Sequence, residues 1–184
     1  MAGERKSVTD PNGKTTTLAY DKLGRLLSKT PDPSLADGPI AFTYTSSGQR
    51  ATMTDASGIT SYSYDSLDRL TTKKTPQGTL TYAYDGGDNV TSIASSNANG
   101  ASLTYGYDSL NRLASVVDNR LPTAQNTTAY TYDPVSNLAT ATYPNGIQHT
   151  FTYDSLNRLS AQALSKASAL RNYQYQRRDR KSVV

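Results

Sequence analysis

A short motif recurs along this chain of 184 residues and constrains its fold more than any other feature. The motif reads Tyr-Asp-x-x-Gly/Asp/Asn-Arg-Leu, and complete copies begin at Tyr20, Tyr64, Tyr107 and Tyr153. Degenerate copies begin at Tyr44, Tyr84, Tyr132 and Tyr175. Successive anchor tyrosines lie 20 to 25 residues apart, and a period of this length is typical of tandem arrays of one small unit. The chain is therefore predicted to be a repeat array rather than one globular fold.

The spacing of side chains around the motif predicts one β-hairpin for each repeat. Aromatic residues at alternate positions, as in Phe42/Tyr44 and Tyr105/Tyr107, share one face of a strand. The Asp after the tyrosine can accept hydrogen bonds from backbone N–H groups two residues on, as turns require. Residues that tolerate a left-handed backbone follow three positions later: Gly24, Gly48, Asp68, Asp88, Asn111, Ser136 and Asn157.

A second turn, such as Asp55-Ala56-Ser57-Gly58 or Pro144-Asn145-Gly146, closes most repeats. Stacked hairpins would share one antiparallel sheet in which the tyrosines line up in cross-strand aromatic rows. The fold class predicted is therefore all-β, with tandem hairpins in one continuous twisted or spiralling sheet.

The repeat positions are interpreted as structural, with no catalytic, cofactor-binding or metal-binding role. These positions are Tyr20, Asp21, Gly24, Arg25, Leu26, Tyr44, Tyr64, Asp65, Arg69, Leu70, Tyr84, Asp85, Tyr107, Asp108, Arg112, Leu113, Tyr132, Asp133, Tyr153, Asp154, Arg158 and Leu159.

Composition agrees with a thin sheet and excludes several functions. Only 35% of residues are apolar, Trp is absent, and Tyr contributes 14 residues against two Phe, so a thick two-layer core is not expected. The absence of Cys excludes disulfides, thiol nucleophiles and Cys-zinc sites. No segment is apolar enough for a signal peptide or a membrane span.

The net charge of +4 does not predict a nucleic-acid partner, because the repeats do not carry it. From Ser7 to Leu170 there are 12 Lys and Arg against 13 Asp and Glu, a net charge of −1. The excess positive charge lies at the two ends, whereas nucleic-acid binding requires a basic face.

The motif and its period resemble the YD repeat of the Rhs family, which includes bacterial Rhs and wall-associated polymorphic toxins, the C component of Tc toxins, and teneurins. The resemblance covers roughly residues 8 to 176. It implies a section of a hollow β-shell that encloses a C-terminal toxin or effector domain, in a protein that is secreted or displayed at the cell surface. The implied partners are the remainder of that shell and the enclosed domain, with no cofactor. The Asp-Pro-x-Gly-rich segment that closes the shell in toxin-bearing members has no counterpart here.

The repeats suggest three divisions of the chain: an N-terminal edge (1–7), the array of about eight hairpins (8–178) and a non-repeat tail (179–184). The tail breaks the motif and also back-translates into a common DNA-sequencing adapter. We therefore hypothesise that the natural coding sequence is interrupted near Arg178.

Three groups of residues invite other chemistry, and each is better explained as structural. His149 is the only histidine, and no nucleophile or orienting group can be named beside it. The Asp column, richest at Asp85-Gly86-Gly87-Asp88-Asn89, offers too few oxygens at one point for calcium. The motif arginines could bind anionic ligands, but pairing with neighbouring aspartates is the simpler interpretation.

The rival function is carbohydrate or cell-wall binding through exposed tyrosine rings. Comparable sugar-binding repeats usually rely on Trp, which this chain lacks. The rival fold is a β-propeller with two repeats for each four-stranded blade, and the uneven repeat lengths argue against it.

Overall fold

The computed structural model describes residues 4–166 and 169–174, the second range by its backbone alone. Within each of the two compact units of these residues, strands hydrogen-bond in the order of the sequence with antiparallel pairing. The strands are β1 (Ser7–Thr9), β2 (Thr15–Tyr20), β3 (Leu26–Thr30), β4 (Ile40–Tyr44), β5 (Arg50–Asp55), β6 (Gly58–Tyr64), β7 (Leu70–Thr75), β8 (Gly78–Tyr84), β9 (Val90–Ser95), β10 (Ser102–Tyr107), β11 (Leu113–Asp118), β12 (Thr127–Tyr132), β13 (Leu138–Thr142), β14 (Gln148–Tyr153), β15 (Leu159–Lys166) and β16 (Ala169–Gln174). The predicted all-β class is confirmed. The motif copy at Tyr175 and the tail 179–184 lie outside the described residues.

The chain divides into two compact units, one of residues 1–83 and 94–100 and the other of residues 84–93 and 101–184. In the first unit, each of the strands from β1 to β8 pairs with the next one along the chain. A four-stranded propeller blade would end this ladder after every second repeat. The uninterrupted run within one unit therefore contradicts the propeller alternative.

The second unit repeats the same meander, from the pairing of β10 with β11 to that of β15 with β16. A long connection between β11 and β12 contains one turn of 3₁₀ helix, Thr123–Gln125. No helix in the described part of the chain has the length and hydrophobicity that crossing a membrane requires.

The motif hairpins whose pairing is defined contain a β-bulge that the sequence does not predict. In the hairpin of β10 and β11, Gly106 pairs with Ser115 while Tyr107 pairs with Leu113, which leaves Ala114 as an extra residue. The same register shift occurs at the other motif hairpins whose pairing is defined, beside Tyr20, Tyr44, Tyr64, Tyr132 and Tyr153. A bulge increases the local twist of the strand pair.

The bulge also changes which side chain faces each anchor tyrosine. Across the hairpin, Tyr44 lies opposite Arg50, and Tyr107 lies opposite Leu113. Within its own hairpin, each of these anchor tyrosines therefore faces a non-aromatic residue. The bulge residue moves the motif's own Leu, or Arg50, into the facing position.

The sheet buries very little. In the described part of the chain, Ala141 is the buried apolar residue, at 2% exposure, and Thr60 is the buried polar one, at 4%. Elsewhere in the strands, side chains are half-buried or exposed, and β4 and β12 alternate between these two states. In β11 every position is half-buried, so both faces of that strand are partly covered. The limited burial agrees with the polar composition. The strands are connected by backbone hydrogen bonds, which satisfy their polar groups, and few side chains are fully buried.

Candidate functional site

The turn after each anchor tyrosine is held by one aspartate carboxylate. In the fifth copy, Asp108 Oδ1 accepts hydrogen bonds from the backbone N–H groups of Leu110 at 2.9 Å and Arg112 at 3.0 Å. Asp21, Asp65, Asp85, Asp133 and Asp154 make the corresponding pair of bonds. Thr45 replaces the aspartate in the second copy, and its hydroxyl accepts from the N–H of Gln49 at 3.0 Å.

The residue three positions after the aspartate has a left-handed backbone in every described copy. Its φ is 77° at Gly24 and 92° at Gly48. The non-glycine residues there have φ values between 57° and 70°: Asp68, Asp88, Asn111, Ser136 and Asn157. Glycine and small polar residues tolerate this conformation at the lowest cost. The sequence-based prediction of the turn is therefore confirmed.

The motif arginine forms an ion pair with the aspartate of its own turn. Nε lies 2.6 to 2.7 Å from Oδ2 in the pairs Asp21–Arg25, Asp65–Arg69, Asp108–Arg112 and Asp154–Arg158. The arginine's backbone N–H lowers the pKa of each aspartate, burial opposes this shift, and the guanidinium lowers the pKa further. The lowered pKa means that the folded turn favours the charged form of each aspartate.

Two of these guanidinium groups also cover aromatic rings of the next hairpin. The carbon centre of Arg25 lies 4.7 Å from the Tyr44 ring centroid, and that of Arg112 lies 4.5 Å from the Tyr132 centroid. These distances are within the range of cation–π attraction. The arginine thus links its own turn to the following repeat, a role that the sequence did not predict.

The anchor tyrosine reaches in the opposite direction, to the preceding hairpin. Its hydroxyl donates to the carbonyl of the residue that opens that hairpin's return strand. The bonds are Tyr44 to Leu26 (2.7 Å), Tyr64 to Arg50 (2.9 Å), Tyr107 to Val90 (3.0 Å), Tyr132 to Leu113 (2.9 Å) and Tyr153 to Leu138 (3.1 Å). The usable sequence signal was that all eight anchors are Tyr, whereas the upstream aromatic position accepts Phe42 and Phe151.

Removing one such hydroxyl should weaken the junction between two repeats. We expect Tyr107→Phe to lower the free energy of unfolding by about 1 kcal/mol, because the Val90 carbonyl loses its donor. Tyr105→Phe is the matched control, since Tyr105 lies two residues earlier on the same strand and no hydrogen bond of its hydroxyl is present in the described structure. Urea denaturation of both variants measures the difference. Equal stability losses would contradict the assigned role of the Tyr107 hydroxyl.

The other candidate residues occupy structural positions. His149 Nε2 lies 3.0 Å from Gln162 Oε1, and its ring packs on Phe151 with 4.1 Å between centroids. In the Asp85 cluster, Asp85 Oδ1 accepts the N–H of Gly87 at 2.8 Å, and Oδ2 accepts from Asn89 Nδ2 at 3.0 Å. Within the described ranges, no three His, Cys, Asp or Glu side chains gather as metal ligands would.

These contacts define a class of protein: a tandem β-hairpin array in which side chains of the motif tie each turn to its neighbours. A family model described as the RHS repeat matches residues 2–33, 44–80, 64–97 and 84–123. These ranges cover more than half of the sequence, and the chain belongs to the RHS repeat family. No match was found among curated proteins.

Solved structures of Tc toxin components have the same fold. The crystal structure of TcdB2-TccC3-TEV matches with a TM-score of 0.72 and 20% identity, over 87% of this chain and 9% of that one. TcdB2-TccC3 without its hypervariable C-terminal region matches with a TM-score of 0.70 and 19% identity, over the same shares. The Photorhabdus luminescens Tc holotoxin pore, with a mutation in TccC3, matches with a TM-score of 0.54 and 27% identity, over 91% of this chain and 9% of that one. The chain thus spans about a tenth of the length of these proteins.

Proposed function

We propose that this chain is a non-catalytic section of the wall of a large Rhs shell that encloses a toxin or effector domain. The observation that carries the proposal is the combination of a hydrogen-bonded meander with almost no buried core. Such a sheet cannot shield a site of its own, but it can separate a cargo from solvent and proteases. The aspartates and arginines of the motif are engaged in the turns themselves.

The relatives support this proposal by their fold and their size. One similar structure is of TcdB2-TccC3 without a hypervariable C-terminal region, and the Rhs resemblance implies that the enclosed domain is C-terminal. By extension, the partners are the rest of the same shell and that cargo, in a protein that is secreted or displayed at the cell surface.

The geometry supports the carbohydrate-binding alternative less well than it supports the shell wall. Sugars stack on open ring faces, whereas arginine covers one face of Tyr44 and of Tyr132. The hydroxyls of both tyrosines are also committed to backbone carbonyls. A glycan array probed with the isolated chain tests this alternative, and specific binding abolished by an anchor Tyr→Ala variant would favour it over containment.

Limited proteolysis of the complete protein tests containment directly. The full coding sequence around this stretch should be expressed and treated with a protease, and the lifetime of any C-terminal domain compared between variants. We expect that domain to be protected in the natural protein and to be cleaved faster in a Tyr107→Phe/Tyr132→Phe double variant, because two junctions of the wall are weakened. The Tyr105→Phe protein should behave as the natural one. A complete protein with no enclosed domain, or one whose domain is cleaved equally fast in all variants, would refute the proposal.

A further inference from the structure

The turns of successive hairpins are joined by a second side-chain contact, which involves two positions that the repeat motif leaves variable. One is the motif's Arg position, where Asn stands in two copies. The other is the left-handed residue of the following turn. In the second unit, Asn89 Nδ2 donates to Asn111 Oδ1 at 3.2 Å, Arg112 Nη1 donates to Ser136 Oγ at 3.0 Å, and Asn137 Nδ2 donates to Asn157 Oδ1 at 3.3 Å. Three consecutive junctions therefore have the same donor and acceptor positions.

The first unit brings the same two positions together where the acceptor position is glycine. Arg25 Nη1 lies 3.9 Å from the point where a Cβ on Gly48 would stand. Gly48 has no side chain to accept a bond, and the guanidinium of Arg25 lies over the Tyr44 ring, as that of Arg112 lies over the Tyr132 ring. The two positions thus approach each other in both units, and a hydrogen bond forms where the acceptor position carries a polar side chain.

Each donor is held in place by the aspartate of its own turn. Asp85 Oδ2 accepts from Asn89 Nδ2 at 3.0 Å, Asp133 Oδ2 from Asn137 Nδ2 at 2.9 Å, and Asp108 Oδ2 from Arg112 Nε at 2.7 Å. The carboxylate orients the donor before the next hairpin docks, so less side-chain entropy is lost on forming the second bond. At each of these junctions, the aspartate therefore bonds the donor side chain, and the donor bonds the acceptor side chain of the following turn.

The sizes of the paired side chains are complementary. The long Arg112 meets the short Ser136, and the long Arg25 meets Gly48, which has no side chain. Asn89 and Asn137, which are shorter than arginine, each meet an asparagine, which is longer than Ser136 or Gly48. Across these four junctions, a long donor accompanies a small acceptor residue and a short donor accompanies a larger one.

We propose that these two positions form a matched pair through which the turn edge of one repeat recognises the repeat that follows it. The partner that fits a given edge is a hairpin whose left-handed residue complements the donor in length and can accept a hydrogen bond. Matching would favour the natural order of hairpins over slipped or skipped pairings, which the nearly identical strand motifs alone would permit. The pairing concerns the array itself and applies whatever the array encloses.

Amide hydrogen exchange on the chain tests this coupling at single turns. Asn111→Gly keeps the positive φ that the turn needs but removes the acceptor of Asn89. We expect the amides of Gly87 and Asn89, in the preceding turn, to exchange roughly three to ten times faster, as for the loss of one exposed hydrogen bond. The matched control is Asp68→Gly, at the same turn position, because the described structure gives the Asp68 side chain no hydrogen bond. Unchanged exchange at Gly87 and Asn89 in Asn111→Gly would overturn the proposal.

A pair swap tests the matching itself. Asn89→Arg with Asn111→Ser installs the pair found at the next junction, whereas each single substitution leaves a mismatched one. We expect faster exchange of the preceding turn in each single variant and recovery to within about twofold of the natural rate in the double variant, a non-additivity expected of residues in contact. Asn111 is exposed and Asn89 is half-buried, and circular dichroism checks that the variants remain folded. Strictly additive effects would show that the two positions do not recognise each other.

Discussion

The array should lose stability progressively as the pH falls from about 5 to about 2, because protonation neutralises the carboxylates that hold its turns. Asp32 and Asp118 show the largest shifts. Hydrogen bonds from Ser34 lower the pKa of Asp32 to about 2, and the Arg120 side chain lowers the pKa of Asp118 to about 2. A folded-state pKa below the unfolded value of about 3.9 means that the unfolded chain binds protons first. The stabilisation is therefore complete above the unfolded pKa and is lost as the pH falls through the folded one.

Urea denaturation followed by circular dichroism between pH 7 and pH 2.5 measures this dependence. The Asp32→Asn/Asp118→Asn variant should be less stable at pH 7, and its stability should change less with pH, because two of the titrating groups are gone. Asp37→Asn is the control, since the Asp37 carboxylate accepts no hydrogen bond in the described part of the chain. A natural protein equally stable at pH 7 and pH 2.5, or a double variant with an unchanged profile, would contradict the assignment.

Replacing the most buried residue, Ala141, with a larger one should also lower the free energy of unfolding. Ala141, on β13, is 2% exposed and lies between Tyr130 and His149 of the neighbouring strands. We expect Ala141→Leu to destabilise the second unit by about 1–3 kcal/mol, because the added carbons must displace well-packed neighbours. Hydrogen exchange of the β13 amides measures the loss locally, which matters because arrays can unfold in parts.

The matched control for this substitution is on the adjacent strand. Ala129→Leu adds the same atoms to β12 at an exposed position, so its effect should stay within about 0.5 kcal/mol. Equal effects of the two substitutions would contradict this prediction, because they would show that the side chains around Ala141 are not tightly packed.

The features that could be predicted from the sequence are those decided within a few residues. The carboxylate of Asp108 reaches N–H groups two and four residues away, and the left-handed φ of 58° at Asn111 suits its own side chain. The alternation of strand faces is equally local. Because these interactions are local, they determine which residue types occur at which spacing. The turn and the hairpin could therefore be predicted from the sequence alone.

The features that could not be predicted depend on residues in different repeats or on ladder geometry. The Tyr107 hydroxyl bonds a carbonyl 17 residues earlier, and Asn89 meets Asn111 22 residues later. No residue type marks the bulge at Ala114 in the sequence, because the bulge is a shift in backbone pairing. The boundaries between hairpins could be inferred from the sequence. The contacts between neighbouring hairpins could not, because they depend on how the hairpins are placed in space. The division of the chain at residues 7 and 178 stays a prediction.

The order of strands within each unit also determines how the protein can be made. In the pairings defined within each unit, a strand pairs with the one synthesised just before it, so these strands need not wait for a distant segment of the chain. Contacts of short sequence separation favour rapid folding, and chains emerge from the ribosome at about 5–20 residues per second. A hairpin of this length is complete within seconds and can add to the growing edge. Such a sheet can therefore fold one repeat at a time during translation, because each new strand pairs with the strand synthesised before it.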